Sequence, residues 1–231
     1  MQEKVREIVD KINSLSLNDT LNYLAITFTD VIFSTSFGKE DQVITHTISQ
    51  GESNIKIFTL DTGRLFEETY EVYHRTRLKY KINIEAYFPN QVAVQGLLEK
   101  KGPYSFYDSI ENRKECCFIR KIEPLKRALK GKQIWITGLR KEQSENRADM
   151  QMAEWDEGNQ LIKIHPLFNW TEKEVDEFVD KNNVPINALH KKGFPSIGCS
   201  PCTRAVEAGE DFRAGRWWWE SSKKECGLHG K

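Results

Sequence analysis

Apolar positions along the chain fall into two alternating patterns. Short runs of strand length, Asp30–Ser34 (DVIFS), Ile55–Leu60 (IKIFTL), Ile82–Phe88 and Gln133–Gly138 (QIWITG), alternate with longer amphipathic stretches. A short apolar run between polar turns predicts a buried strand, and apolar residues three and four apart predict a helix with one core face. Asp41–Ile48 and Leu65–Tyr80 are therefore predicted helices, and Leu161–His165 is a fifth strand. Ile119, Ile122, Leu125 and Leu129 lie on a helix that Lys130-Gly131 closes and that Pro124 kinks or restarts. Thr171 and Glu174 fit a capping box opening a helix through Val175, Phe178 and Val179. Residues 1–29 carry helical spacing (Val5, Ile8, Val9, Ile12, then Leu21, Leu24, Ile26) and form an N-terminal helical segment. Strands alternating with helices predict an α/β fold, a parallel twisted sheet with helices on both faces. Beyond about Pro185 the pattern stops. Residues 185–231, rich in Gly, Pro, Cys, Arg and Trp, are predicted to be a C-terminal extension laid over the sheet. With no internal repeat or long linker, residues 1–231 read as a single domain.

Composition narrows the function classes. Of 231 residues, 39% are hydrophobic and 29% charged, the balance of a soluble globular chain, and no apolar run is long enough for a bilayer. The formal net charge is zero, so neither nucleic acid nor a membrane surface is an expected partner, while a local basic pocket for a small anion stays open. The opening MQEKVREIVDKI lacks the pattern of a secretory signal, and a cytoplasmic protein is expected. In that reducing compartment the five cysteines point to metal, catalysis or burial and not to disulfides.

Two constellations carry chemistry. Ser34-Thr35-Ser36-Phe37-Gly38-Lys39 joins the first strand to the first crossover helix, so its N–H groups and hydroxyls suit a phosphate. A plain Ser-capped turn reads equally from these residues alone, and neither GxxxxGK[ST] nor GxGxxG is present. The cysteines divide into adjacent Cys116-Cys117, the Cys199-x-x-Cys202 pair, and a separate Cys226. Four thiolates suit zinc or an iron–sulfur cluster. The adjacent pair favours a cluster, because neighbouring side chains diverge and separate irons accept both. Either pair alone also fits a redox couple or small buried hydrophobes. Arg120 and Lys121 follow one helical turn later, beside a site that needs cations, or on a solvated basic face. Cys226 has Lys223, Lys224 and His229 nearby to favour its thiolate.

Cys-Cys-x-x-Arg-Lys (116–121), Gly-Cys-x-x-Cys (198–202), Arg-x-x-Arg-Trp-Trp-Trp-Glu (213–220) and Glu-Cys-Gly-Leu-His (225–229) resemble the bacterial assimilatory adenylyl-sulfate (APS) reductases. These are the iron–sulfur branch of the PAPS reductase family. Leu60-Asp61-Thr62-Gly63, Thr137-Gly138-Leu139-Arg140, Gln143-Ser144 and 163–167 (KIHPL) match in the same order, so the resemblance spans about Phe33 to His229. Ser36–Asp41 resembles the PP-loop SGGxDS of adenine nucleotide alpha-hydrolase-like enzymes, departing at Phe37, Glu40 and Asp41. In the family those departures accompany loss of ATP pyrophosphatase activity.

The resemblance implies Cys226 as nucleophile with Lys121 and His229 in the catalytic group. It implies substrate contacts from Ser34, Ser36, Leu60, Thr62, Gly138, Arg140, Arg147, Arg213 and Arg216. Cys116, Cys117, Cys199 and Cys202 become ligands to one 4Fe–4S cluster per chain. Adenylyl sulfate is the implied substrate, thioredoxin or glutaredoxin the electron donor, and a homo-oligomer the expected assembly. A PAPS or dual-specificity reductase is the near alternative. A zinc-dependent PP-loop ATPase of tRNA modification and a cluster-based redox-sensing module are more distant ones. Three consecutive tryptophans (217–219) cannot share one face, so some are expected in the core and others on the tail or a partner.

Overall fold

In the computed structural model, residues 2–51, 53–143 and 150–220 are described. Six strands form one sheet: β1 (Val31–Ser34), β2 (Lys56–Leu60), β3 (Ile84–Tyr87), β4 (Ile134–Ile136), β5 (Ala153–Asp156) and β6 (Leu161–Ile164). Their order is β3-β2-β1-β4-β6-β5. All pairings are parallel except β5 against β6. Successive side chains point to opposite faces, and burial follows that alternation. Phe33, Ile57, Ile134 and Ile136 enter one core, while Ile32, Phe58 and Trp135 enter another on the opposite face. Both faces are therefore covered, as a parallel sheet requires.

The first core packs against α1 (Gln2–Ile12), α2 (Leu17–Thr27), α3 (Lys39–Gln50) and α8 (Glu172–Lys181), and the second against α7 (Glu123–Leu129). The predicted capping box opens α8, with the Thr171 and Glu174 side chains each accepting from the other's backbone N–H. Also present are α4 (Glu67–Tyr80), α5 (Gln91–Lys101) and α6 (Ile110–Cys117). Three elements lie beyond the sequence pattern, among them α6, whose buried Arg113, Cys116 and Cys117 make no apolar stripe. The α5 helix buries only Leu97, so it carries no apolar stripe to read. β5 is an antiparallel edge with only Ala153 fully buried.

The predicted helix over 119–129 is broken. α6 ends at Cys117, the chain widens into a π-helical turn over Phe118–Ile122 closed by Glu123 N–H to the Phe118 carbonyl, and α7 restarts with Pro124 in its first turn. Proline lacks an N–H, so it suits a first turn, where that donor has no partner. Among the described residues beyond Val184 the extension contains only single turns, Ala188–Lys192 and Ser200–Cys202, and one bridge between Thr203 and Arg216. Of the three tryptophans, Trp217 is core, Trp219 is part-buried and Trp218 is exposed. No helix among the described residues is long and apolar enough to cross a membrane.

The chain runs from β1 through β2 to β3 on one side, then crosses to β4 on the other. This places a topological switch between β1 and β4, where the loops at the carboxyl ends diverge and leave a crevice.

Candidate active site

A cavity of about 250 Å³ occupies that crevice. The predicted contact residues Ser34, Ser36, Leu60, Thr62 and Gly138 all line it, each at the carboxyl end of β1, β2 or β4. Trp135 donates its indole N–H to Ser34 Oγ at 2.8 Å, fixing that hydroxyl. The loop after β1 is taut, with Phe37 in the left-handed region (φ 61°) and its buried ring stacked on Tyr73 at 4.8 Å. Most residues avoid that backbone, so burying the ring holds the turn.

Asp41, in the first turn of α3, accepts from Ser36 N at 2.6 Å and Ser36 Oγ at 2.7 Å, and the Gly138 N–H donates to it as well. Burial in the cavity wall raises its carboxyl to about 6, the Glu40 charge adding to burial and the donated hydrogen bonds opposing it. Arg140, also expected at the substrate, stands apart from these residues. Its side chain is 3% exposed, bonded to Glu40 Oε1 at 2.9 Å and to the Trp170 carbonyl, and it does not line the cavity. The loop bends this guanidinium back under the α3 carboxylate.

Lys121, Arg213 and Arg216 line the opposite end. Lys121 comes from the π-helical turn and lines the neighbouring cysteine cavity too. Arg216 is buried with its guanidinium 4.8 Å from the Trp217 ring centre. A Cβ at Gly198 would collide with that guanidinium, so any larger residue there would have to displace the Arg216 side chain. Arg120, also from the π turn, donates to the Thr62 carbonyl at 2.7 Å.

Cys116, Cys117, Cys199 and Cys202 all line this second, smaller cavity, and among the described residues none of the four is joined in a disulfide. The adjacent pair faces inward because α6 gives way there to the wider π turn. Thr62, on the nucleotide side, lies with Oγ1 3.3 Å from Cys199 Sγ, so the two cavities share a wall. Burial pushes Cys116 up and Cys202 up to about 12. Burial also pushes on Cys199, but Lys121, the Thr62 hydroxyl, Arg216 and Arg120 together outweigh it and bring that thiol below its ordinary value.

The donor set fits a thiolate-held cluster. Four soft sulfur donors stand among Arg64, Arg113, Arg120 and Lys121, and the Trp217 indole N–H and Arg120 Nε are buried there without acceptors among the described residues. Orphaned buried donors beside four thiols call for an acceptor-rich anion. No group of three or more His, Cys, Asp or Glu side chains is assembled for a single metal ion among the described residues.

Several residues escaped the sequence reading. Arg64 directly follows the Leu60–Gly63 motif, and Arg113 lies three before Cys116. Arg113 pairs bidentately with Glu220 at 2.9 and 2.8 Å, both side chains at most 4% exposed. Its guanidinium also covers the Trp217 ring at 4.9 Å. His190 lines the nucleotide cavity with Nδ1 on the Phe194 carbonyl, so Nδ1 carries the proton and Nε2 is a buried acceptor. Helical spacing around Cys116 marks Arg113, whereas nothing local marks His190. Cys226, His229, Arg147 and Ser144 lie outside the described residues.

Comparison with known proteins bears on this arrangement. The model of the phosphoadenosine phosphosulfate reductase domain matches residues 30–205. A relative from Allochromatium vinosum, named adenosine 5'-phosphosulfate reductase, is 52% identical over 86% of this chain and 78% of its own. One of the same name from Neisseria meningitidis serogroup A is 48% identical over 93% of this chain and 88% of its own. The crystal structure of phosphoadenylyl-sulfate reductase from Candida auris in a phosphate complex superposes with a TM-score of 0.77, at 29% identity, over 89% of this chain and 98% of its own. A family match across both strand halves and the Cys-x-x-Cys, on a sheet whose crevice adjoins four thiols, identifies the chain as a member of the phosphoadenosine phosphosulfate reductase domain family.

Proposed function

We propose that this chain reduces adenylyl sulfate to sulfite and AMP as an assimilatory, cytoplasmic reductase, with thioredoxin or glutaredoxin as donor. The observation that carries the reading is the shared wall. A cavity of about 250 Å³ ends on Lys121, Arg213 and Arg216, next to a cavity lined by four cysteines. Relatives at 52% and 48% identity bear the name of this activity.

Thiols do not attack sulfate until a good leaving group is attached. In the proposed reaction the Cys226 thiolate attacks the sulfate sulfur. A sulfur–sulfur bond forms, the sulfur–oxygen bond to AMP breaks, and AMP departs with that electron pair. One thiol of the donor then attacks Cys226 Sγ, sulfite leaves with the pair of the broken sulfur–sulfur bond, and the donor's second thiol closes its disulfide and frees Cys226. The donor is oxidised by two electrons and the sulfate sulfur reduced by two. Lys121, Arg213 and Arg216 hold the phosphate and sulfate oxygens against mutual repulsion, Arg147 is assigned to the phosphate, and His229 to favouring the Cys226 thiolate. Leu60 and Gly138 meet the nucleoside through backbone.

Cys116, Cys117, Cys199 and Cys202 would hold a 4Fe–4S cluster. When bound it supplies a compact anion of about −2 that keeps Lys121 and the arginines in place.

A second reading, the 3′-phosphorylated substrate PAPS, is favoured by the name of the Candida auris structure. The four cluster cysteines favour APS, because PAPS-specific members of the family usually lack them. Specificity constants for both substrates, measured on anaerobically purified full chain, separate the readings. A preference for APS is expected, and a large preference for PAPS would overturn the assignment. The same preparation should be brown with about four irons per chain. Cys226→Ser should lower sulfite formation more than about a thousandfold. A Cys226→Ser chain that still makes sulfite rules out the mechanism.

A further inference from the structure

A row of polar groups crosses one face of the sheet and ends at the nucleotide cavity. Glu154 on β5, Lys163 on β6 and Trp135 on β4 stand in register, so their side chains share that face. The Lys163 ammonium lies 3.1 Å from Glu154 Oε1 and 5.3 Å above the Trp135 ring, and Trp135 in turn donates to Ser34 Oγ. Two residues further along, just past the ends of β4 and β6, Thr137 and His165 continue the same face. His165 is fully buried, with Nδ1 2.7 Å from Thr137 Oγ1. Its Nε2 lies 3.7 Å from the Glu154 oxygen that Lys163 also meets, an electrostatic contact longer than a hydrogen bond. The His165 ring, and after it Lys163, hold the Glu154 carboxyl down at about 2 against the opposing effect of burial. Ser34, Trp135 and Thr137 line the cavity, whereas Glu154, Lys163 and His165 stand behind them. Ile32, Phe58, Leu125, Leu129 and Leu161 fill the rest of this face, where an apolar pair would pack without desolvating a charge.

We propose, resting on the nucleotide reading of the cavity, that Glu154 is a positioning residue that acts through His165 to turn the lone pairs of Thr137 Oγ1 toward the nucleoside. An imidazole with a carboxylate beside Nε2 carries its proton on that nitrogen, which leaves Nδ1 as an acceptor. The Thr137 hydroxyl then donates to Nδ1, and its oxygen is left to accept from the cavity. The matching donor on a purine nucleotide is a ribose hydroxyl or the exocyclic amine of adenine. A proton on Nδ1 would reverse the arrangement. His165 would then donate to Thr137, and the threonine would turn its own proton toward the cavity, donor against donor. Lys163 keeps the carboxylate charged, so the direction of the Thr137 hydroxyl is set two strands away. β5 buries little of its own, and this role gives the antiparallel edge a part in the site.

The test reads the tautomer and the binding separately, on anaerobically purified full chain. With nitrogen-15 histidine, NMR identifies the His165 ring as the signal missing from His165→Asn. The wild-type ring should carry its proton on Nε2, and Glu154→Gln should move it wholly or partly to Nδ1. In calorimetric titrations with AMP, Thr137→Val and Glu154→Gln should each bind about tenfold more weakly than wild type, while Thr137→Ser, which keeps the hydroxyl, stays within about threefold. 2′-Deoxy-AMP, 3′-deoxy-AMP and purine riboside monophosphate each lack one donor. One of them should bind wild type about tenfold more weakly than AMP and bind Thr137→Val as well as AMP does, and its identity tells ribose hydroxyl from amine. A row kept for packing alone would lose stability in these variants without moving the tautomer or the analogue pattern. The proposal is overturned if the wild-type ring carries a proton on Nδ1, or if Glu154→Gln leaves either the tautomer or AMP affinity unchanged. It is equally overturned if Thr137→Val binds AMP as wild type does, or if no analogue distinguishes the two. Should Glu154→Gln fail to fold, the wild-type tautomer and the Thr137 pair decide. A wild-type chain that does not bind AMP would overturn the nucleotide reading instead. The tautomer comparison, which needs no nucleotide, would still decide the part played by Glu154.

Discussion

The two walls of the nucleotide cavity are assembled in different ways. The sheet wall, formed by Ser34 to Asp41, Leu60 to Thr62 and Thr137-Gly138, comes from strand–loop–helix units, and each residue stands where its strand ends. Its charges are satisfied close by, Asp41 by Ser36 and Gly138, Glu40 by Arg140. The extension wall joins Cys199, Arg213 and Arg216, from chain with little regular structure, to Lys121 from a helix broken by a π turn, and Cys116, Cys117 and Cys202 lie beyond it in the second cavity. It is joined by contacts between distant parts of the sequence, such as Arg113 with Glu220, 107 residues apart. Regular hydrogen-bond ladders hold the first wall whatever one side chain does. The second has no ladder and depends on each partner.

The largest expected effect is therefore on the extension wall. Glu220→Gln leaves the Arg113 guanidinium buried against Trp217 with a neutral partner. Breaking a buried pair in this way destabilises by about 3–5 kcal/mol. Urea unfolding measures it. Ser36→Ala on the sheet wall, which removes one of three hydrogen bonds to Asp41, should shift stability by about 1 kcal/mol. Equal losses from the two substitutions would abolish the contrast between the walls.

Next in size is a kinetic difference between two cations. Lys121 lines both cavities, whereas Arg140 is turned away beneath Glu40. Lys121→Ala should lower kcat/KM by about a hundredfold to a thousandfold, as expected when a cation facing developing charge is removed. Lys121→Arg should recover part of it. Arg140→Gln should cost less than about tenfold, acting only through Glu40. If Arg140→Gln proves the more damaging, the assignment of the cationic end to Lys121, Arg213 and Arg216 fails.

The same contrast governs how much was legible in the sequence. Ser34, Ser36, Leu60, Thr62 and Gly138 were readable because strand ends are marked by apolar runs stopping at small or polar residues, and a parallel sheet gathers those ends. The four cysteines were readable by residue type, and their convergence is seen in one cavity. Arg140 looked like a phosphate ligand because sequence proximity to Gly138 says nothing of which way a guanidinium turns. Helical spacing marks Arg113 but not its partner Glu220, 107 residues away, while Arg64 donates to the Pro103 carbonyl 39 residues on and His190 bonds a carbonyl four residues on, and local periodicity carries no trace of these partners. α5 and β5 were missed because each buries a single residue, so neither produced a pattern.

The smallest effect tests whether the sheet wall carries an internal electrostatic penalty. The Asp41 carboxyl is raised from 3.8 to about 6, chiefly by burial, with the Glu40 charge adding and the Ser36 and Gly138 donors opposing. A carboxyl whose folded value lies above its unfolded one favours the fold when protonated. Its contribution is fully present below 3.8 and is lost as pH rises through about 6. One such proton changes stability by at most about 1.4 kcal/mol per pH unit across that window. Asp41→Asn removes the titration and leaves every other group in place. The stability of the variant relative to wild type should therefore rise between about pH 4 and pH 6 and level off above, as read from urea midpoints at several pH values. A flat difference would mean that Asp41 titrates at its ordinary value, so that the Ser36 and Gly138 hydrogen bonds fully offset burial. A rising difference would mean that the chain retains a carboxylate at a stability disadvantage near neutral pH, with burial outweighing the hydrogen bonds that Asp41 accepts.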